Sequence, residues 1–192
     1  MEKNVIFCGV GGQGVILASK VLMETALRAG YDVKESEVHG MAQRGGSVEC
    51  CVRFGQKIYS PLISKGGADF IVSFELLESL RKIEFMSDSG MLIVNDLKID
   101  PVPVQQGLME YPSDIKDYLT TNIPNVFIAE TEEILRGIGS QKALNIVMLG
   151  ILSMHLDFSY DEWIEAVKAC VKEKFVEMNI RAFDAGRTLC EK

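Results

Sequence analysis

The chain has 192 residues, 47% of them hydrophobic and 24% charged, a composition and length that suit one globular domain with a buried core. Its 27 acidic and 20 basic side chains leave a formal charge of −7, and no Lys/Arg cluster interrupts it, which excludes a broad electrostatic footprint for nucleic acid. The longest mostly apolar run, Ile146 to Met154, falls short of the ~20 residues that span a bilayer, and the first residues carry no secretory pattern, so a cytoplasmic protein is expected.

In chain order, residues 4–10 form an apolar run ending in glycine, the mark of a buried strand in a parallel sheet. Val15, Ile16, Ala18, Val21, Leu22, Thr25 and Ala26 then recur at helical spacing, and Gly30 stands where a helix C′ residue belongs. A weaker strand over residues 31–38 completes the start of a βαβ unit. Val48, Cys50, Val52 and Phe54 alternate with Ser47, Glu49, Cys51 and Arg53, as in a half-exposed strand. Gly55-Gln56 then predicts a hairpin into Ile58-Tyr59, an antiparallel excursion.

Residues 69–74 and 91–95 read as further buried strands, with a helix over 75–84 between them. Pro101, Pro103 and Pro112 make the next stretch irregular, because proline cannot donate to a ladder. A helix near 114–121, a strand over 126–129 and a short helix near 132–136 follow. Residues 145–155 are apolar nearly all round and predict a helix buried between layers. Ser159 and Glu162 form a capping box, after which Trp163, Ile164, Val167, Cys170, Val171, Phe175 and Met178 trace one apolar stripe. The expected fold is therefore a single α/β domain over residues 1–192: a three-layer, Rossmann-like, mostly parallel sheet with a hairpin excursion and a helical C-terminal third.

The five cysteines (Cys8, Cys50, Cys51, Cys170 and Cys190) contain no CxxC pair and cannot close into a full disulfide set. They read as reduced, mostly buried thiols. Adjacent Cys50 and Cys51 point to opposite faces of any strand and cannot chelate one ion together, so no metal site is expected.

Two glycine-rich loops carry the chemistry. Gly9-Val10-Gly11-Gly12-Gln13-Gly14 lies between a predicted strand and a predicted helix, where glycine permits an unusual turn and close approach of a ligand to the backbone. The helix start beyond it offers unpaired N–H groups to a phosphate or carboxylate. The spacing satisfies G-x-G-x-x-G, with Glu35 or Glu37 near the place of a ribose-binding acid, so a stand-alone dinucleotide-binding oxidoreductase is one reading. Tight strand–helix packing alone is the plainer alternative. Gln13 can donate and accept, which suits a polar ligand or a partner chain. His39-Gly40-Met41-Ala42-Gln43-Arg44-Gly45-Gly46 follows the second strand and should lie beside the first loop, where Arg44 offers a fork for phosphate or carboxylate or else a salt bridge. His39 reads more simply as a surface hydrogen-bonding group than as a catalyst, and His155 sits in an apolar helix. No catalytic residue can be named.

Gly9–Gly14 followed by Gln43-Arg44-Gly45-Gly46 resembles the gamma-type subunit family of 2-oxoacid:ferredoxin oxidoreductases. The fuller string from His39 to Val48, together with Tyr59-Ser60-Pro61-Leu62-Ile63, is most similar to the beta subunit of the indolepyruvate branch. The resemblance continues through Ala68-Asp69, the helix from Asn145 to Gly150 and the tail through Lys174, Asn179 and Gly186, essentially the whole chain. It implies oxidative decarboxylation of a 2-oxoacid, here an arylpyruvate, to an acyl-coenzyme A, with electrons passed to ferredoxin in anaerobic metabolism. Pyruvate, 2-oxoglutarate or a branched-chain oxoacid is the alternative substrate.

The resemblance also implies that thiamine diphosphate, Mg²⁺ and [4Fe–4S] clusters sit on a larger alpha subunit. This chain shows neither the carboxylate set nor the cysteine set those groups need, so it should be inactive alone. Gly9, Gly11, Gly12, Gln13, Gly14, Gln43, Arg44, Gly45 and Gly46 are then expected to face the thiamine or coenzyme A region, with Arg44 or Lys65 as the cation for phosphate.

Overall fold

The computed structural model describes residues 2–40 and 46–191. Six strands form one sheet: β1 (Lys3–Val10), β2 (Asp32–His39), β3 (Ser47–Gly55), β4 (Ala68–Ser73), β5 (Met86–Asn95) and β6 (Val126–Ala129). Their order is β2-β3-β1-β4-β5-β6. β1, β4, β5 and β6 run parallel, whereas β3 lies antiparallel between β1 and β2.

β1 is apolar throughout because both faces of the sheet are covered. Val5 and Phe7 enter one core and Ile6 and Cys8 the other, all fully buried. The first face carries α1 (Val15–Arg28), α5 (Glu132–Ile138), α6 (Leu144–Ser153), α7 (Tyr160–Cys170) and α8 (Val176–Leu189). The second carries α2 (Leu76–Lys82) and α4 (Ile115–Asn122). The three-layer, mostly parallel α/β architecture is thus the one expected.

Three details differ from expectation. β3 pairs antiparallel with β2, not with Ile58-Tyr59. Residues 58–59 form no strand; the Ile58 N–H is held by the Asp32 carboxylate at 2.8 Å instead. β3 therefore separates β2 from β1, so strand, helix and strand do not form adjacent neighbours. The proline-bearing stretch contains one helical turn, α3 (Val102–Gln105), with Pro101 capping and Pro103 in its first turn, a position where a missing N–H costs nothing.

The third difference is the C-terminal stripe. The capping box of Ser159 and Glu162 opens α7, but the helix stops at Cys170 because Val171 takes extended dihedrals (φ −109, ψ 154). A 3₁₀ turn, Glu173–Phe175, then leads into α8. The break lets α8 turn back across α6, which is buried along its whole length. The two helices cross with backbone in contact. A Cβ on Gly150 would stand 2.1 Å from the Phe183 carbonyl oxygen, and one on Gly186 would stand 2.0 Å from that of Val147.

Candidate functional site

β1 feeds α1 and then β2 on one side of the sheet, whereas β4 lies on its other side and feeds α2 on the opposite face. The strand order thus reverses at β1, and its carboxyl end is the crevice where open α/β sheets bind ligands. The loop of residues 9–14 occupies that crevice.

Gly9 is packed: a Cβ there would meet the Gln13 side-chain oxygen at 2.8 Å and Phe74 at 3.1 Å. Gln13 crosses the gap between β1 and β4. Its oxygen accepts from the Val10 N–H at 2.6 Å, and its NH₂ donates to the Phe74 carbonyl at 2.8 Å. Both ends of the amide are therefore engaged within the chain, and Gln13 holds the loop in shape rather than pointing at a guest.

Gly11 and Gly12 are exposed, and Gly12 has φ +101 with nothing within 4 Å of where a Cβ would stand. Gly14 is the N-cap of α1, with φ +81. It supplies no side-chain cap, and the first turn of α1 carries no acidic residue. Among the described residues, the N–H groups of Gly12, Gly14, Val15 and Ile16 have no hydrogen-bond partner. An uncapped helix start under an open glycine turn concentrates unpaired donors and partial positive charge at one point. Such an arrangement is chemically suited to an anion held through backbone N–H groups.

Two residues that the sequence patterns did not single out build this end of the molecule. Asn145, 1% exposed, donates to the Gly14 carbonyl at 3.2 Å and lies where a Gly14 Cβ would collide with it at 2.6 Å. A lone amide opening an otherwise apolar helix was the available signal. Glu75, 1% exposed, caps α2 through the Glu78 N–H at 2.9 Å and accepts from the Ile99 N–H at 3.1 Å and the Tyr111 hydroxyl at 2.5 Å. It ties the proline-bearing segment over the same end of the sheet. Burial and the Glu75 carboxylate push the Tyr111 hydroxyl well above the usual phenol range, so it stays a donor.

The second glycine segment begins and ends where expected. Gly46 accepts from the Gly11 N–H at 2.9 Å, and Gly40 donates to the Ser47 carbonyl at 2.8 Å. The Ser47 hydroxyl donates to buried Glu78 at 2.5 Å, which roots the segment on α2. Residues 41–45, and with them Gln43, Arg44 and Gly45, lie outside the described residues, as does the side chain of His39.

The remaining candidates lie elsewhere. Lys65 precedes β4 at the opposite end of the sheet and pairs with Glu84 at 2.6 Å, so it cannot serve the loop. His155 follows α6, packs 6.3 Å from Phe70 and is held below the usual imidazole range by burial. Glu35 pairs across β3 with Val52, and its carboxylate accepts from Ser19 at 2.5 Å. With β3 interposed, β2 stands two strand spacings, roughly 10 Å, from β1, so neither Glu35 nor Glu37 occupies the ribose-binding position of a dinucleotide fold.

The thiols do not converge on a cluster. Cys50 faces one core and Cys8 and Cys51 the other, while Cys170 ends α7 and Cys190 follows α8. Burial pushes Cys8 and Cys51 up to about 12 and Cys50 to about 11. Glu35, Glu37 and Cys50 do bring possible ligand atoms within 4.8 Å of one another, but a protonated thiol and two carboxylates are not the thiolate set of an iron–sulfur cluster. No helix of the described residues is long and apolar enough to cross a membrane.

The chain is 38% identical over 190 residues to indolepyruvate oxidoreductase subunit IorB of Thermococcus kodakarensis, covering 96% of this chain and 94% of that protein. It is 39% identical to the same subunit of Pyrococcus horikoshii, with the same coverage. Pyruvate oxidoreductase subunit PORC from Thermotoga maritima shares the fold with a TM-score of 0.73 at 21% identity, over 97% of this chain and 96% of that one. The gamma subunit of a keto/oxoacid ferredoxin oxidoreductase from Geobacter sulfurreducens does so with a TM-score of 0.70 at 22% identity, over 97% and 94%. The family model described as pyruvate ferredoxin/flavodoxin oxidoreductase matches residues 4–189, and the chain belongs to that family.

Proposed function

We propose that this chain is the small subunit of an indolepyruvate-type 2-oxoacid:ferredoxin oxidoreductase, a cytoplasmic enzyme that converts arylpyruvates to aryl-acetyl-coenzyme A. The assignment of substrate rests on the relatives named indolepyruvate oxidoreductase subunit IorB, which match over nearly their full length. Thiamine diphosphate with Mg²⁺, and the [4Fe–4S] clusters, belong to a larger partner: the described thiols of this chain do not fit a cluster.

What this chain supplies is an anion-receiving edge. The observation that carries the reading is the uncapped start of α1 beneath Gly11 and Gly12 at the carboxyl end of β1. Those N–H groups suit a coenzyme A phosphate, with Arg44 on the adjoining segment as the cation. Gln13 and Asn145 keep the turn in the shape that presents the donors.

The test is reconstitution with a larger thiamine- and cluster-bearing partner subunit. The assembled pair should reduce ferredoxin with indolepyruvate and coenzyme A, and each subunit alone should not. Arg44→Ala should raise the KM for coenzyme A with little change in that for the oxoacid. An unchanged KM and turnover in that variant would remove the loop from coenzyme A binding while leaving the subunit assignment intact.

A further inference from the structure

A groove of about 370 Å³ opens beside the first turn of α1, between that helix, the turn before α6 and the junction of α7 with α8. That volume lies in the range of small-molecule sites, ~300–1,000 Å³. Its floor is Leu17, Val171, Phe175 and Met178, and Phe175 is 42% exposed, a large apolar surface left open to solvent. Lys142 and Lys172 stand at its sides.

Five of the described lysines, Lys20, Lys57, Lys142, Lys172 and Lys174, are in no ion pair among the described residues. Lys3, Lys34, Lys65, Lys82, Lys98, Lys116 and Lys168 each pair with a carboxylate, in a protein whose net charge is −7. Neither Lys142 nor Lys172 forms an ion pair among the described residues, and Lys174, two residues further on, lies over the Phe175 ring instead. Of the five, Lys142 and Lys172 are the two that line the groove with its apolar floor.

Asn179 adds a directional group. It lines the groove while only 6% exposed, and its NH₂ donates to the Phe175 carbonyl at 2.8 Å. That bond fixes which end of the amide is which, and leaves the side-chain oxygen as an acceptor without a partner among the described residues. An apolar slot, flanking cations and the open acceptor oxygen of a largely buried amide match a guest with a flat apolar body, a carboxylate and a ring N–H or O–H donor.

We propose that this groove binds a small aromatic carboxylate, an indole or phenol acid, with its ring on Phe175 and Met178, its carboxylate between Lys142 and Lys172, and its ring donor on Asn179. The site is separate from the loop of residues 9–14 and stands whether or not that loop receives coenzyme A.

The full chain labelled with ¹³C at methionine methyls allows a direct test, because Met178 lies in the floor. Titration with indole-3-acetate should shift the Met178 methyl resonance to saturation, and uncharged indole-3-acetamide should bind more weakly. Reversing both exposed cations in Lys142→Glu/Lys172→Glu should weaken indole-3-acetate by about tenfold or more without moving the melting temperature. Absence of a saturable shift overturns the proposal, and so does equal binding by the charge-reversed variant. Coenzyme A is the second arm: a Met178 shift with coenzyme A and none with indole-3-acetate would assign the groove to the nucleotide and overturn the aromatic-acid reading.

Discussion

Gly11 and Gly12 in the first loop and Gly150 and Gly186 in the helical third are the same residue placed for opposite reasons. At Gly12 the missing side chain opens onto empty space, and the backbone needs glycine for its dihedral, φ +101. At Gly150 and Gly186 the dihedrals are helical, and the missing side chains are replaced at once by carbonyl oxygens of the facing helix. The first pair keeps a surface free for something outside the chain. The second lets the chain close on itself. The comparison separates function from packing, and substitutions can test the separation.

The largest effect belongs to Gly150→Ala. The added methyl would sit 2.1 Å from a backbone oxygen, so α6 and α8 must move apart along a crossing that holds the C-terminal third. A loss of about 3 kcal/mol follows, near the upper end for overpacking, with a fall in melting temperature of about 10 °C. Thermal unfolding by circular dichroism measures it, and a variant that melts with the wild type would show that the crossing is loose. Gly14→Ala comes next and belongs to both classes. It meets a positive φ and the buried Asn145 side chain together, so it should cost about 2–3 kcal/mol and distort the start of α1. Trimming the obstacle in Gly14→Ala/Asn145→Ala should recover less than half of that loss, because the backbone strain remains.

How legible these features were follows from the same distinction. The strands of the parallel core were plain in the sequence, because burial on both faces writes an unbroken apolar run such as Val5 to Cys8. The partner of β3 was not. Alternation marks a half-exposed strand but is silent on which neighbour it joins, and β3 pairs with β2 on one side and β1 on the other. The stripe from Trp163 to Met178 kept helical spacing across a break, since periodicity carries no sign of the extended dihedrals at Val171. At the site, the glycine pattern located the loop. It could not show that Gln13 turns inward, because one amide at a helix start serves a guest and a strand gap equally well until the distance from β1 to β4 is known. Asn145 lies 131 residues from its partner Gly14, a pairing that only the tertiary fold reveals.

Gln13→Ala sharpens the comparison from the inside. Removing the bridge leaves the Val10 N–H without its acceptor, and the Phe74 carbonyl keeps only a long contact to Asn95 at 3.4 Å. A loss of about 2 kcal/mol is expected for two partly buried groups left unpaired. Gln13→Glu keeps the acceptor for Val10 but places a carboxylate against the Phe74 carbonyl, and should be no better than alanine. If Gln13 instead faced a ligand, Gln13→Ala would leave the melting temperature unchanged and alter only the kinetics of the assembled enzyme.

The smallest effect on stability, and the one that bears most on function, is expected at Gly12→Ala. Nothing stands within 4 Å of the new methyl, so no packing is lost, and the cost is the strain of φ +101 in an L-residue, about 1–2 kcal/mol. That strain is relieved by turning the peptide, and turning it redirects the Gly12 N–H away from the point where the unpaired donors of α1 converge. The loop would then hold an anion with one fewer aligned donor, a loss of about 1–2 kcal/mol in binding, or roughly tenfold. In the reconstituted complex this should appear as a raised KM for coenzyme A at a melting temperature within a few degrees of wild type. Gly150→Ala provides the control, since it should lower the melting temperature far more while leaving that KM unchanged in complex that remains folded. If Gly12→Ala instead behaved like Gly150→Ala, losing stability and keeping its kinetics, the open glycine would be a packing device after all, and the anion-binding reading of the loop would fall.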